Sequence, residues 1–147
     1  MISQFTPYTC VLDCFSFYLR EMGFPVFTPD LLANHRDLCH NMPDYHTYGA
    51  VRTDLIPELA KRYLLKTVEC PVDDFPTIST AINVGHCVLL ICRRYGGLDI
   101  NHCVKIVGID SNDYKLFTPS FPHGKCETVS PQVIKDDWFG SCLIIKP

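Results

Sequence analysis

The chain has 147 residues, and its 13 Lys and Arg against 16 Asp and Glu leave a formal charge of −3. With 47% hydrophobic and 20% charged residues it is a globular chain and not a disordered one. The absence of any apolar run of roughly eighteen residues excludes a membrane-spanning helix, and weak negative charge without a basic cluster argues against nucleic acid as a partner.

The length suits one domain over residues 1–147. The opening Met1-Ile2-Ser3-Gln4-Phe5-Thr6-Pro7 has neither the basic nor the apolar region of a signal peptide. Nine cysteines stand at 10, 14, 39, 70, 87, 92, 103, 126 and 142, mostly beside Val, Leu, Ile or Phe. That placement suits small buried hydrophobes in a reducing compartment, so a cytoplasmic location, in the producing cell or a target cell, is expected.

Thr9 and Gly23 predict the ends of a first helix beginning at Cys10. Val11, Leu12, Cys14, Phe15, Phe17, Tyr18, Leu19 and Met22 make that helix apolar around nearly its whole circumference, which places it at the centre of the domain. Thr28-Pro29-Asp30 predicts a second helix with Thr28 as its cap, and Asp54–Leu65 a third with Pro57 in its first turn. From there the pattern changes to sheet. Val88–Cys92 is an apolar run of strand length. Tyr95-Gly96-Gly97-Leu98-Asp99 reads as a connection to a strand from His102 to Ile109. Asp110–Asp113 is turn chemistry, followed by Tyr114–Phe117. A short helix is expected from Ser130-Pro131 to Trp138, and Cys142–Ile145 as the closing strand. Helices first and an antiparallel sheet afterwards make an α+β layout.

The chemistry begins at Cys10. At a helix N-terminus the unpaired amides and the dipole stabilise an anion, which predicts a lowered thiol pKa. Gln4, six residues earlier on the entering segment, can donate its side-chain amide to an oxyanion formed at that thiol, together with the Cys10 N–H. His102, at the start of a strand, is the candidate base: a histidine at a strand start facing a thiol at a helix start is what thiol catalysis requires. Cys14 reads as a packing residue. A zinc site is not expected, because Cys39-His40, His86-Cys87 and His102-Cys103 are adjacent pairs without the spacing of ligand motifs, and no cofactor is called for.

Gln4, Cys10 and Cys14, with His102-Cys103-Val104-Lys105-Ile106-Val107-Gly108-Ile109-Asp110, resemble the papain-like double-glycine leader peptidases that process bacteriocins and quorum peptides. Asp137-Trp138-Phe139-Gly140 and the final apolar strand look like that family's closing segment, so the resemblance runs along essentially the whole chain. It implies a papain-like cysteine peptidase fold with an N-terminal helical half and a C-terminal antiparallel sheet, and cleavage of an extended peptide after Gly-Gly. Two positions depart from the family. Val11 replaces the glycine after the nucleophile, and the register of the family's Asp-Pro pair falls on Thr118-Pro119. Threonine can accept a hydrogen bond from the imidazole but cannot stabilise imidazolium by charge; Asp110 and Asp113 are carboxylates nearby in sequence that could replace it. Phe121-Pro122-His123-Gly124 is a candidate rim of the cleft.

With no transporter following in this chain, the resemblance implies an effector or toxin payload acting on a target-cell protein. A cognate immunity protein would then be the expected partner. Two other readings compete. A papain-like deamidase or transferase acting on a Gln side chain would use the same thiol. A catalytically degenerate peptide-binding module would account for Val11 and Thr118.

Overall fold

The first described helix, α1, runs Cys10–Glu21, Cys10 being the first described residue. The computed structural model describes residues 10–39, 51, 53–92, 102–118, 125–137 and 141–147. Val11, Leu12, Cys14, Phe15, Tyr18 and Leu19 of α1 are all buried, as an apolar circumference demands. The helix stops at Gly23, whose φ of +92° is costless only without a side chain. There the Gly23 N–H donates to Arg20 C=O and the Phe24 N–H to Leu19 C=O, both at 3.0 Å, the paired bonds of a glycine-terminated helix.

Helix α2 (Thr28–Asn34) corrects one expectation. Thr28 is not its cap but its first residue; Asp30 accepts the Phe27 N–H at 3.0 Å from inside the helix. The Thr28 hydroxyl instead donates to the buried Asp13 carboxylate at 2.6 Å, fastening α2 to α1. The predicted third helix resolves into a 3₁₀ turn, Thr53–Leu55, and α3 (Ile56–Lys61). The chain then turns through Leu64, at φ +60°.

Six strands follow: β1 (Lys66–Pro71), β2 (Cys87–Cys92), β3 (His102–Asp110), β4 (Asp113–Thr118), β5 (Lys125–Val129) and β6 (Ser141–Lys146). They form one antiparallel sheet in the order β1-β6-β2-β3-β4-β5. Helix α4 (Phe75–Asn83), capped by Asp74 on the Thr77 N–H at 3.3 Å, lies between β1 and β2. Helix α5 (Pro131–Asp137) precedes β6. The β3–β4 turn holds Ser111 and Asn112 at φ +50° and +75°, a hairpin geometry that suits the strand twist.

The helical N-terminal half and the antiparallel sheet are as expected, with one strand among the helices, β1, that the sequence did not announce. The strand β1 stands between α3 and α4 and pairs with the last strand, Lys66 opposite Lys146. It is an edge strand, mostly exposed, so its sequence carries no apolar alternation. Alternation in the central strands builds two cores. Cys87, Leu89, Ile91, Cys103, Phe117, Leu143 and Ile145 pack with α1, α2 and α3. Val88, Leu90, Val104, Ile106, Leu116 and Ile144 pack with Ile78 and Ala81 of α4 and Ile134 of α5. All eight cysteines whose side chains are described are free thiols, and five of them are buried.

Lys105 breaks this pattern: it sits on the α1 face of β3 with its side chain only 4% exposed. Its ammonium reaches Glu21 Oε1 at 2.8 Å and lies 5.1 Å from the centre of the Phe17 ring. Lys105 is buried while Glu21 is half exposed, and stripping a buried charge of its partner costs more than replacing that charge with an apolar chain of similar volume. Glu21→Ala is therefore expected to lower the unfolding free energy by about 2 kcal/mol, whereas Lys105→Met stays within about 1 kcal/mol of wild type or exceeds it. Urea unfolding midpoints measure both.

Candidate active site

The first turn of α1 meets the first residues of β3 at the backbone of Cys103. Its amide acts on the Cys10 thiol, and its carbonyl accepts the Cys14 S–H at 3.8 Å. Cys10 and Cys14 stand one helical turn apart, so one residue of the strand is clamped across that turn. His102 opens β3 immediately before this clamp and pairs with Cys92 of β2. Backbone geometry thus brings the predicted nucleophile and the predicted base to adjoining positions; the His102 imidazole itself lies outside the described residues' side chains. Gln4, Thr9, the Tyr95–Asp99 connection, Phe121–Gly124 and Trp138-Phe139-Gly140 also lie outside the described residues.

Electrostatics at Cys10 run against the expected direction. The amides of Val11 and Cys103 do favour its thiolate, as a helix start should. Burial outweighs them, helped by the neighbouring Cys103 thiol and the Asp13 carboxylate, and pushes the Cys10 thiol up to about 12. Desolvation disfavours the charged form of any thiol, and one amide from α1 with one from β3 does not offset it. On its own, Cys10 is a protonated thiol at neutral pH; it needs a cationic partner to become a nucleophile. Cys14 is fully buried and its thiol is pushed well up by the same desolvation, which fits a packing residue.

Thr118, the last residue of β4, is fully buried. Its hydroxyl donates to Glu127 Oε1 at 3.2 Å. Strand β4 pairs with β3 so that Lys105 stands opposite Phe117, the residue before Thr118. Asp110 and Asp113 pair with each other at the opposite end of the hairpin. Eight residues along β3 from His102, roughly 26 Å away, they cannot substitute for an aspartate at position 118. Glu127 went unnoticed in the sequence because β5 did. The alternating Lys125-Cys126-Glu127-Thr128-Val129 was its only signal, a short one.

No protein-family model matches the sequence, and no curated protein matches it. Solved structures do. The peptidase domain of Streptococcus ComA, a bifunctional ABC transporter of a quorum-sensing pathway, superposes with a TM-score of 0.71 at 14% identity, covering 99% of this chain and 96% of that one. A C39-like peptidase from Bacillus anthracis gives 0.68 at 17% identity over 100% and 94%. A double-glycine-motif protease of an AMS/PCAT transporter, solved with its leader peptide, gives 0.67 at 15% identity over 100% and 90%. The helices and six-stranded antiparallel sheet of this chain have the α+β, papain-like fold of the double-glycine leader peptidase domains.

Proposed function

We propose that the chain is a cysteine peptidase, a single papain-like unit over residues 1–147, that hydrolyses the bond following a Gly-Gly pair. The observation that carries this reading is the clamp of Cys103 across the first turn of α1, which sets Cys10 beside the start of β3 at His102. The shared fold along the whole chain, with one relative holding a leader peptide, supports an extended peptide as the ligand.

In the proposed mechanism the His102 imidazole takes the Cys10 proton, and the thiolate attacks the glycyl carbonyl carbon. The oxyanion that forms accepts hydrogen bonds from the Gln4 side-chain amide and the Cys10 N–H. Imidazolium protonates the leaving amine, and the same ring then deprotonates the water that hydrolyses the thioester. Thr118 holds the ring in orientation. Two glycines have no side chains, so a narrow cleft closes over them and excludes larger residues. The reading extends to an effector acting on a target-cell protein, held in check by an immunity protein that fills the cleft.

The test offers the purified protein peptides that differ only in Gly-Gly against Ala-Ala before the scissile bond, with products read by mass. Cleavage after Gly-Gly alone is the expected result. An intact peptide whose Gln side chain has become an acid would assign the thiol to deamidation, and peptide bound but unchanged would leave only the binding module.

A further inference from the structure

We propose that Cys70 and Cys142 are a disulfide-forming site, a covalent staple between β1 and β6 that closes when the chain meets an oxidising thiol–disulfide pool. The two stand directly opposite each other in the antiparallel register, and among the described residues no other two cysteines are paired across strands. Residues paired in this way have Cα atoms about 4.5 or 5.5 Å apart, according to the kind of pair. Disulfides span Cα separations of roughly 4.4–6.8 Å, so this backbone can accept the bond where it stands.

The two thiols are already hydrogen-bonded. Cys142 donates its S–H to the Cys70 sulfur, which favours the thiolate of Cys70 and disfavours that of Cys142. Both lie on the α4 face of the sheet, Cys142 within the core of Val88, Ile144 and Ile78, and Cys70 at its margin beside Val72 and Phe75. Cys10 packs on the other core, so the pair is separate from the candidate active site. Exposure assigns the roles. Cys70 is half-buried on an edge strand, where a small oxidant reaches it, while Cys142 has no exposed surface and is reached through its partner.

Desolvation pushes both thiols up, and the carboxylate of Asp74, which caps α4, adds to the effect. That penalty falls on thiolates alone. A disulfide carries no charge, and the stacked rings of Phe75 and Tyr114 beside it are apolar surroundings that suit it.

In the proposed step the Cys70 thiolate attacks one sulfur of a low-molecular-weight disulfide such as oxidised glutathione, and one glutathione leaves as its thiolate. Cys142 gives up its proton, and its sulfur attacks that of Cys70 and expels the second glutathione. The two protein thiols are oxidised to one disulfide, the oxidised glutathione is reduced to two thiols, and the two protons end on those thiols. The bond closes the loop from 70 to 142, which contains β2, β3, β4 and β5. Closing so long a loop restricts the unfolded chain and stabilises the folded one.

The test holds the purified chain under native conditions with oxidised glutathione, quenches with acid, alkylates and maps peptides by mass. The expected result is a linked pair of peptides carrying Cys70 and Cys142, with a urea midpoint about 1–2 M above that of the reduced chain and both changes reversed by dithiothreitol. Cys70→Ser is expected to leave Cys142 a thiol and the midpoint unmoved by oxidised glutathione. Cys142→Ala is expected to stop with one glutathione held on Cys70, which shows the order of attack. Recovery of Cys70 and Cys142 as thiols while the exposed Cys126 takes up glutathione overturns the site. A link between the two that leaves the midpoint where it was overturns the staple.

Discussion

Replacing Cys10 with alanine is expected to abolish cleavage, a loss of at least about 10⁴-fold in kcat, while leaving the fold in place. Alanine is the strongest helix former and occupies a position that is only partly buried, so α1 still begins there. The surrounding contacts are retained: Cys14 still meets the Cys103 carbonyl, and Asp13 still holds Thr28. Serine at position 10 should be nearly as inactive, because its hydroxyl is far less acidic than a thiol and the site already disfavours an anion. Cys14→Ala is the contrasting variant. Its thiol is fully buried and serves packing, so activity is retained while stability falls by about 1 kcal/mol. Peptide cleavage by mass and urea unfolding separate the two effects.

The elements legible in the sequence are those whose burial is one-sided or complete. Helix α1 was legible because of its apolar circumference and the stop at Gly23, and β2 because an unbroken apolar run needs both faces covered. Strands β1 and β5 lie at the two edges of the sheet, where one side faces no neighbour and the side chains are largely solvated. No apolar period survives there, and both were missed. The same cause hid Glu127, since a charged residue on an unrecognised edge strand looks like loop. Thr28 misled for a different reason. Its residue type suits a cap, but a tertiary bond to Asp13 claims its hydroxyl, and Asp30 takes over the capping.

At the candidate site, Cys10 and His102 stood out as candidates because a helix start and a strand start are local features. Their electrostatics were not legible. A pKa depends on what surrounds the thiol in three dimensions, and here the Cys103 thiol, the Asp13 carboxylate and burial together defeat the helix start. The departures at Val11 and Thr118 were visible as letters, but whether Thr118 lacked a charge could be judged only with β5 in place beside it.

His102→Ala should therefore change the pH dependence of Cys10 more than any other single substitution. A thiol at about 12 is protonated below that pH, and at pH 7 its thiolate fraction is about 10⁻⁵. An imidazole beside it takes the proton and holds the thiolate as an ion pair, so wild-type Cys10 is expected to react with iodoacetamide through the neutral range. Without the ring the burial is unchanged but the cation is gone, and reactivity should appear only as pH rises toward 12. Peptide mapping of the alkylated chain reads Cys10 separately, with the exposed Cys126 as a reference in the same sample that the substitution leaves alone. Coincident Cys10 profiles in the two proteins would show that the imidazole is not the thiol's partner. The clamp at Cys103 would then be packing, and the degenerate binding module would be the better account of this fold.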